Sequence, residues 1–147
     1  MPTATCAHIP CQSPWFPSFN PSLNYYAQEM GDESLLKRFF IYLAAPVDRV
    51  QLPEYKKFAE SLELNSLDQG KRTINIDPGF VALEQVVMST SKPYSHRILL
   101  KEGIYADLVY LFQNKNYQVL AWTYPDYQEI AKINYFLNIR QNLQRNL

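Results

Sequence analysis

The chain has 147 residues and a mass of 17.2 kDa, enough for one domain with a real core, and 47% of its residues are hydrophobic. Fourteen Lys+Arg balance fourteen Asp+Glu, and 19% of residues are charged against a usual ~25%, which argues against nucleic-acid binding through bulk charge. No apolar run approaches the roughly 18–20 residues of a membrane span, so the expectation is a soluble, cytoplasmic protein with no membrane partner.

Charge is absent from Met1 through Gln28, and this stretch holds five of the ten prolines and both cysteines. Proline removes backbone donors and biases the preceding residue away from helix. Residues 1–24 are therefore expected to form an extended arm, with no regular element before about Pro21, and residues 25–147 a single domain. Cys6, His8 and Cys11 lack the fourth ligand of a zinc site, so no metal is expected.

Leu36 to Ala44 is rich in aromatic and β-branched residues and reads as a buried strand. Leu52, Tyr55, Phe58, Ala59 and Leu62 recur at helical spacing and predict a helix from about Pro53 to Leu64. Lys71 to Ile76 alternates and ends at the Asp77-Pro78-Gly79 turn. One helical turn is expected near Val81 to Glu84, then a strand through Val86, Val87 and Met88. Ser95 to Trp122 reads as a three-stranded antiparallel meander. Its first loop, Lys101-Glu102-Gly103, has the pattern of a glycine-bulge turn. That register pairs Leu100 with Ile104, Ile98 with Ala106, His96 with Leu108, Leu99 with Tyr105 and Arg97 with Asp107. Asn114-Lys115-Asn116 makes the second turn. Asp126 with Glu129 has capping-box spacing for a last helix, which presents Ile130, Ile133, Phe136, Leu137, Arg140 and Leu143 on one face. The architecture is α+β, a mostly antiparallel sheet with helices packed against it.

His96 falls on an apolar sheet face, as a buried neutral imidazole or as a general acid/base. Asp107 opposite Arg97 either stabilises the sheet or aims the guanidinium at a phosphate or carboxylate. Lys92 sits in a neighbouring loop, and Tyr105 shares the face of Arg97. Asn75 and Asp77 close a strand at a tight turn, Asp77 as a turn-former or as a carboxylate base. Asp126 reads as a helix cap beside Tyr124. The phosphate-loop, dinucleotide, hydrolase-elbow and zincin motifs are all missing from the sequence.

Four ordered blocks carry a family resemblance: Tyr25-Tyr26-Ala27-Gln28-Glu29-Met30-Gly31, Asn75 to Phe80, Ser95 to Ile98 with Gly103 to Asp107, and Trp122 to Tyr127. From about Tyr25 onward the chain resembles an uncharacterised prokaryotic family, domain of unknown function 4416, which has no established reaction. The resemblance implies a ferredoxin-like βαββαβ core, extended by the meander and the C-terminal helix, with its first strand and helix replaced by the arm. It also implies that Asp107 stands where relatives more often carry Glu.

Two functions fit. One is a small-ligand site, with or without enzymatic activity, for an anionic phosphorylated metabolite or nucleotide. There His96, Asp107 and Asp77 would do the chemistry, and Lys92, Arg97, Tyr105, Asn75, Tyr124 and Asp126 would bind. No cofactor is indicated. The other is a non-catalytic interaction module, or a homodimer formed through an open sheet edge.

Overall fold

The computed structural model describes residues 15–16, 30, 38–43 and 45–146. Cys6, His8, Cys11 and the Tyr25 block except Met30 lie outside the described residues. In chain order the elements are β1 (Trp15–Phe16), β2 (Arg38–Phe39), α1 (Leu52–Asn65), β3 (Leu67–Asp68), β4 (Lys71–Arg72), β5 (Gly79–Val81), β6 (Gln85–Thr90), β7 (Ile98–Lys101), β8 (Ile104–Gln113), β9 (Asn116–Val119) and α2 (Ile130–Arg145). The fold is α+β, and every pairing is antiparallel.

The main sheet runs β5-β6-β8-β7, with β9 also on β8. β7 pairs with the first part of β8 and β9 with its end, so the two lie in line along one side of the long strand. Between them, residues 107–109 of β8 have no strand neighbour on that side. Val86 and Val87 are adjacent in β6 and both buried. Successive strand residues point to opposite faces, so both faces of the sheet are covered. On one face Val86, Val109, Tyr110 and Tyr117 pack with Phe136 and Ile139 of α2. On the other, α1 lies against β6 and β8.

Three two-residue turns join β3 to β4, β7 to β8 and β8 to β9. Their central pairs, Gln69-Gly70, Glu102-Gly103 and Asn114-Lys115, all have positive φ. That conformation matches the right-handed twist of paired strands. It corrects the expected three-residue turns. Lys101, not Leu100, opposes Ile104, and a register shift after Leu99 restores the expected Ile98–Ala106 and Leu99–Tyr105 pairs.

Other expectations change too. Trp15–Phe16 is a short strand inside the stretch read as free of regular structure. Of the strand expected over Leu36 to Ala44, the described residues 38–43 are strand at Arg38–Phe39 alone, and Phe39, Ile41 and Leu43 are exposed. No helical turn forms at Val81 to Glu84; Ala82 N–H donates to Gln85 O (2.8 Å), closing a β5–β6 hairpin instead.

α1 has nearly the expected span but is rotated by roughly a quarter turn, so that of the expected stripe Leu52 and Ala59 are buried. It buries Leu52, Pro53, Lys56, Ala59 and Glu63, while Tyr55, Phe58 and Leu62 are exposed. The reason is an ionic anchor. Lys56 Nζ, on a residue 5% exposed, donates to Ile76 O (2.8 Å) and Asp77 Oδ1 (3.0 Å). Glu63 accepts from Ile76 N–H (2.7 Å) and from Arg72 (3.2 Å). The loop into β5 is thereby tied to the helix. α2 buries Phe136 as expected, together with Lys132 and Ile139, whereas Ile130 is exposed.

Candidate functional site

The gap between β7 and β9 leaves backbone acceptors of β8 without a strand partner, and buried acceptors need donors. The turn after β9 supplies them. Trp122 Nε1 donates to Leu108 O (2.8 Å), and Thr123 Oγ1 donates to Val109 O (2.7 Å). At the same point the β6–β8 register shifts, and Val109 is the extra residue. Such bulges re-aim side chains and recur beside active sites. This interruption, a notch in the strand pairing at residues 107–109, is bordered by the turn at Tyr94–Arg97 and by Trp122–Tyr124.

His96 does not lie in β7. Arg97 N–H donates to Tyr94 O (3.1 Å), which turns the chain before the strand and corrects the expected His96–Leu108 pairing. The imidazole stacks on the Trp122 indole at 5.0 Å and 12° and meets the edge of Tyr94 at 5.2 Å. Its Nε2 is enclosed and lies 3.4 Å from Asp107 Oδ1, yet makes no hydrogen bond. An enclosed nitrogen left in this condition is uncommon in folded proteins and calls for an explanation.

Arg97 and Asp107 form the expected pair, Nε to Oδ2 at 2.8 Å. The guanidinium also donates to Lys92 O (3.0 Å) and Tyr124 Oη (3.2 Å). Burial pulls the pKa of Arg97 down, but hydrogen bonding and charge from Asp107, then from Tyr124, outweigh it and leave the pKa raised. The group is a fixed cation whose three nitrogens reach Asp107, Lys92 O and Tyr124, the pairing with Asp107 being one of the two arrangements the sequence allowed.

The structure thus brings together His96, Arg97, Asp107, Tyr124 and the Lys92 backbone. Tyr105 is two residues from Asp107 on the same face of β8, between Thr90 and Leu99. The remaining candidates have other partners. Asp77 holds Lys56, and Asn75 bridges Asp77 (2.9 Å) and Arg72 (3.3 Å). Asp126 is buried against Arg38 rather than capping α2, whose first turn follows Glu129 without a side-chain cap. Trp122 was not among the sequence candidates, although it opens one of the four family blocks. Among the described residues no group of His, Cys, Asp and Glu is arranged to hold a metal. A shallow depression of about 220 Å³ lined by Pro53, Glu54, Lys57, Lys101 and Glu102 lies apart from the notch.

A family model described as domain of unknown function (DUF4416) matches residues 2–143. The chain belongs to this DUF4416 family. The match begins well before Tyr25 and takes in the proline-rich stretch. No curated protein and no solved structure matches the chain. No helix among the described residues of this DUF4416 protein is long and apolar enough to cross a membrane.

Proposed function

We propose that the notch binds a small cytoplasmic ligand carrying a planar ring, a nucleotide before other phosphorylated metabolites, and that His96 exchanges a proton with it. The observation that carries this reading is the enclosed His96 Nε2, 3.4 Å from Asp107 Oδ1 on a ring stacked against Trp122. A carboxylate beside one imidazole nitrogen stabilises the imidazolium formed when the other nitrogen takes a proton. Asp107 has that role, and Arg97 positions Asp107. Tyr94, Trp122 and Tyr124 are exposed at the rim, where aromatic faces suit a base. The phosphate end is assigned to the loop carrying Lys92.

Thermal-shift and calorimetric titrations with nucleosides, nucleotides and sugar phosphates test this. Nucleotides should raise Tm, and Trp122→Ala and His96→Gln should remove most of the shift while the free proteins stay folded. Stabilisation by no compound, or equal stabilisation of both variants, would overturn the proposal.

A further inference from the structure

The two ring nitrogens of His96 have different surroundings. Nε2 is enclosed beside the Asp107 carboxylate, whereas Nδ1 is not enclosed and bonds to no described residue. Asp107 is ion-paired with Arg97 Nε (2.8 Å), and an ionised carboxylate can only accept. A lone pair on Nε2 would be repelled by Oδ1 at 3.4 Å, whereas an N–H there is attracted. In the neutral ring the proton therefore sits on Nε2, which leaves Nδ1 as a lone-pair acceptor. Such bonds are often long in a ligand-free site and tighten when it is occupied, which accounts for the unbonded Nε2. Tyr124 has the opposite polarity. Its Oη accepts from Arg97 Nη2 (3.2 Å), and its own proton goes to no described residue. A guanidinium that donates to a phenol oxygen strengthens that phenol as a donor. Arg97 thus sets both groups, His96 through Asp107 and Tyr124 directly.

We infer that the site selects its ligand at a ring edge, His96 Nδ1 accepting from a ligand amino group and Tyr124 Oη donating to the adjacent ring nitrogen. The inference rests on the ligand reading above and names the class within it. That class is a nucleotide whose base carries an amino group beside an unprotonated ring nitrogen, as adenine and cytosine do. The two groups differ in depth, and the difference decides between base edges. The His96 side chain is only 12% exposed, so its acceptor is recessed, whereas Tyr124 is 49% exposed. An exocyclic amino group projects beyond its ring and reaches a recessed acceptor, while the ring nitrogen beside it meets the more forward hydroxyl. In a lactam edge the projecting atom is a carbonyl oxygen, which would face the Nδ1 lone pair and be repelled. A polar group left without its match makes the wrong base bind more weakly.

Long-range proton–nitrogen correlation spectra of the ligand-free chain, with His96→Gln to assign the ring, read the tautomer. At about pH 8, where imidazole is ordinarily neutral, Nε2 should carry the proton and Nδ1 should be bare. Asp107→Asn, whose amide can donate, should let the Nδ1–H form appear. Calorimetry then compares AMP with purine riboside monophosphate, and CMP with its analogue lacking the amino group. In at least one pair the amino nucleotide should bind at least about tenfold more tightly. Tyr124→Phe should weaken that binding severalfold and leave the far-UV circular dichroism unchanged. A wild-type His96 protonated at Nδ1 overturns the inference. So does equal affinity within both pairs, or binding confined to lactam nucleotides such as UMP and GMP. Binding of no nucleotide overturns the ligand reading and this inference together, whereas binding without discrimination overturns this inference alone.

Discussion

One oxygen of Asp107 accepts from Arg97 while the other faces the imidazole of His96, so a single carboxylate sets the position of both side chains. Asp107→Asn would leave the Arg97 guanidinium buried without its anion. Breaking a buried pair costs about 3–5 kcal/mol, and the bonds from Arg97 to Lys92 O and Tyr124 hold this case to about 2–3 kcal/mol. Urea unfolding measures it, and a loss below about 0.5 kcal/mol would show that the pair contributes little. The Arg97–Asp107 pair was legible because strand alternation and a short hairpin bring these residues together. The partner of His96 was not, since the stack depends on Trp122 entering from beyond β9. Asp126 shows the same limit. Local spacing suggests a cap, and the competing partner, Arg38, is 88 positions earlier in the chain.

At the scale of one element, α1 shows how a helix can follow its apolar periodicity in length and not in orientation. The pattern locates the segment, with Pro53 in the first turn where a missing donor costs nothing. It ranks faces by hydrophobicity alone, however, and the buried face here is fixed by ion pairs and backbone bonds to the loop at residues 72–77. Substitutions should therefore invert the usual order. Lys56→Ala, which removes the buried donor to Ile76 O and Asp77 and leaves Glu63 to Arg72 and Ile76 N–H, should destabilise by about 2 kcal/mol and speed exchange of the Ile76 amide. Phe58→Ala, at a side chain exposed in the chain, should cost less than about 1 kcal/mol. Denaturant melts at low protein concentration compare them, and a larger loss for Phe58→Ala would contradict the orientation of the helix. The β7–β8 and β8–β9 hairpins are legible from their turn residues, but the two-residue length of their loops is not, because Glu102 and Lys115 are unusual at positive φ.

For the molecule as a whole, the core between the sheet and α2 is aromatic and includes two buried phenols. Burial pushes the Tyr117 hydroxyl up to about 12 and moves that of Tyr110 in the same direction, beyond the alkaline range. Unfolded tyrosine titrates near ~10. Below that pH both states hold the proton and stability is complete; as pH rises from about 10 toward 12 the unfolded chain releases protons that the fold keeps, and stability falls. The slope approaches roughly 1.4 kcal/mol per pH unit for each tyrosine. Urea midpoints across this window should decline, with a shallower decline for Tyr117→Phe; a flat profile would count against burial of these phenols. The layout of the sheet also bears on how it forms. Three of its four pairings, β5–β6, β7–β8 and β8–β9, join strands adjacent in sequence, and only β6–β8 closes a longer loop. Low-separation contacts form quickly. The three hairpins can zip independently, which leaves the docking of β6 on β8, across the Val109 bulge, as the step that sets the folding rate.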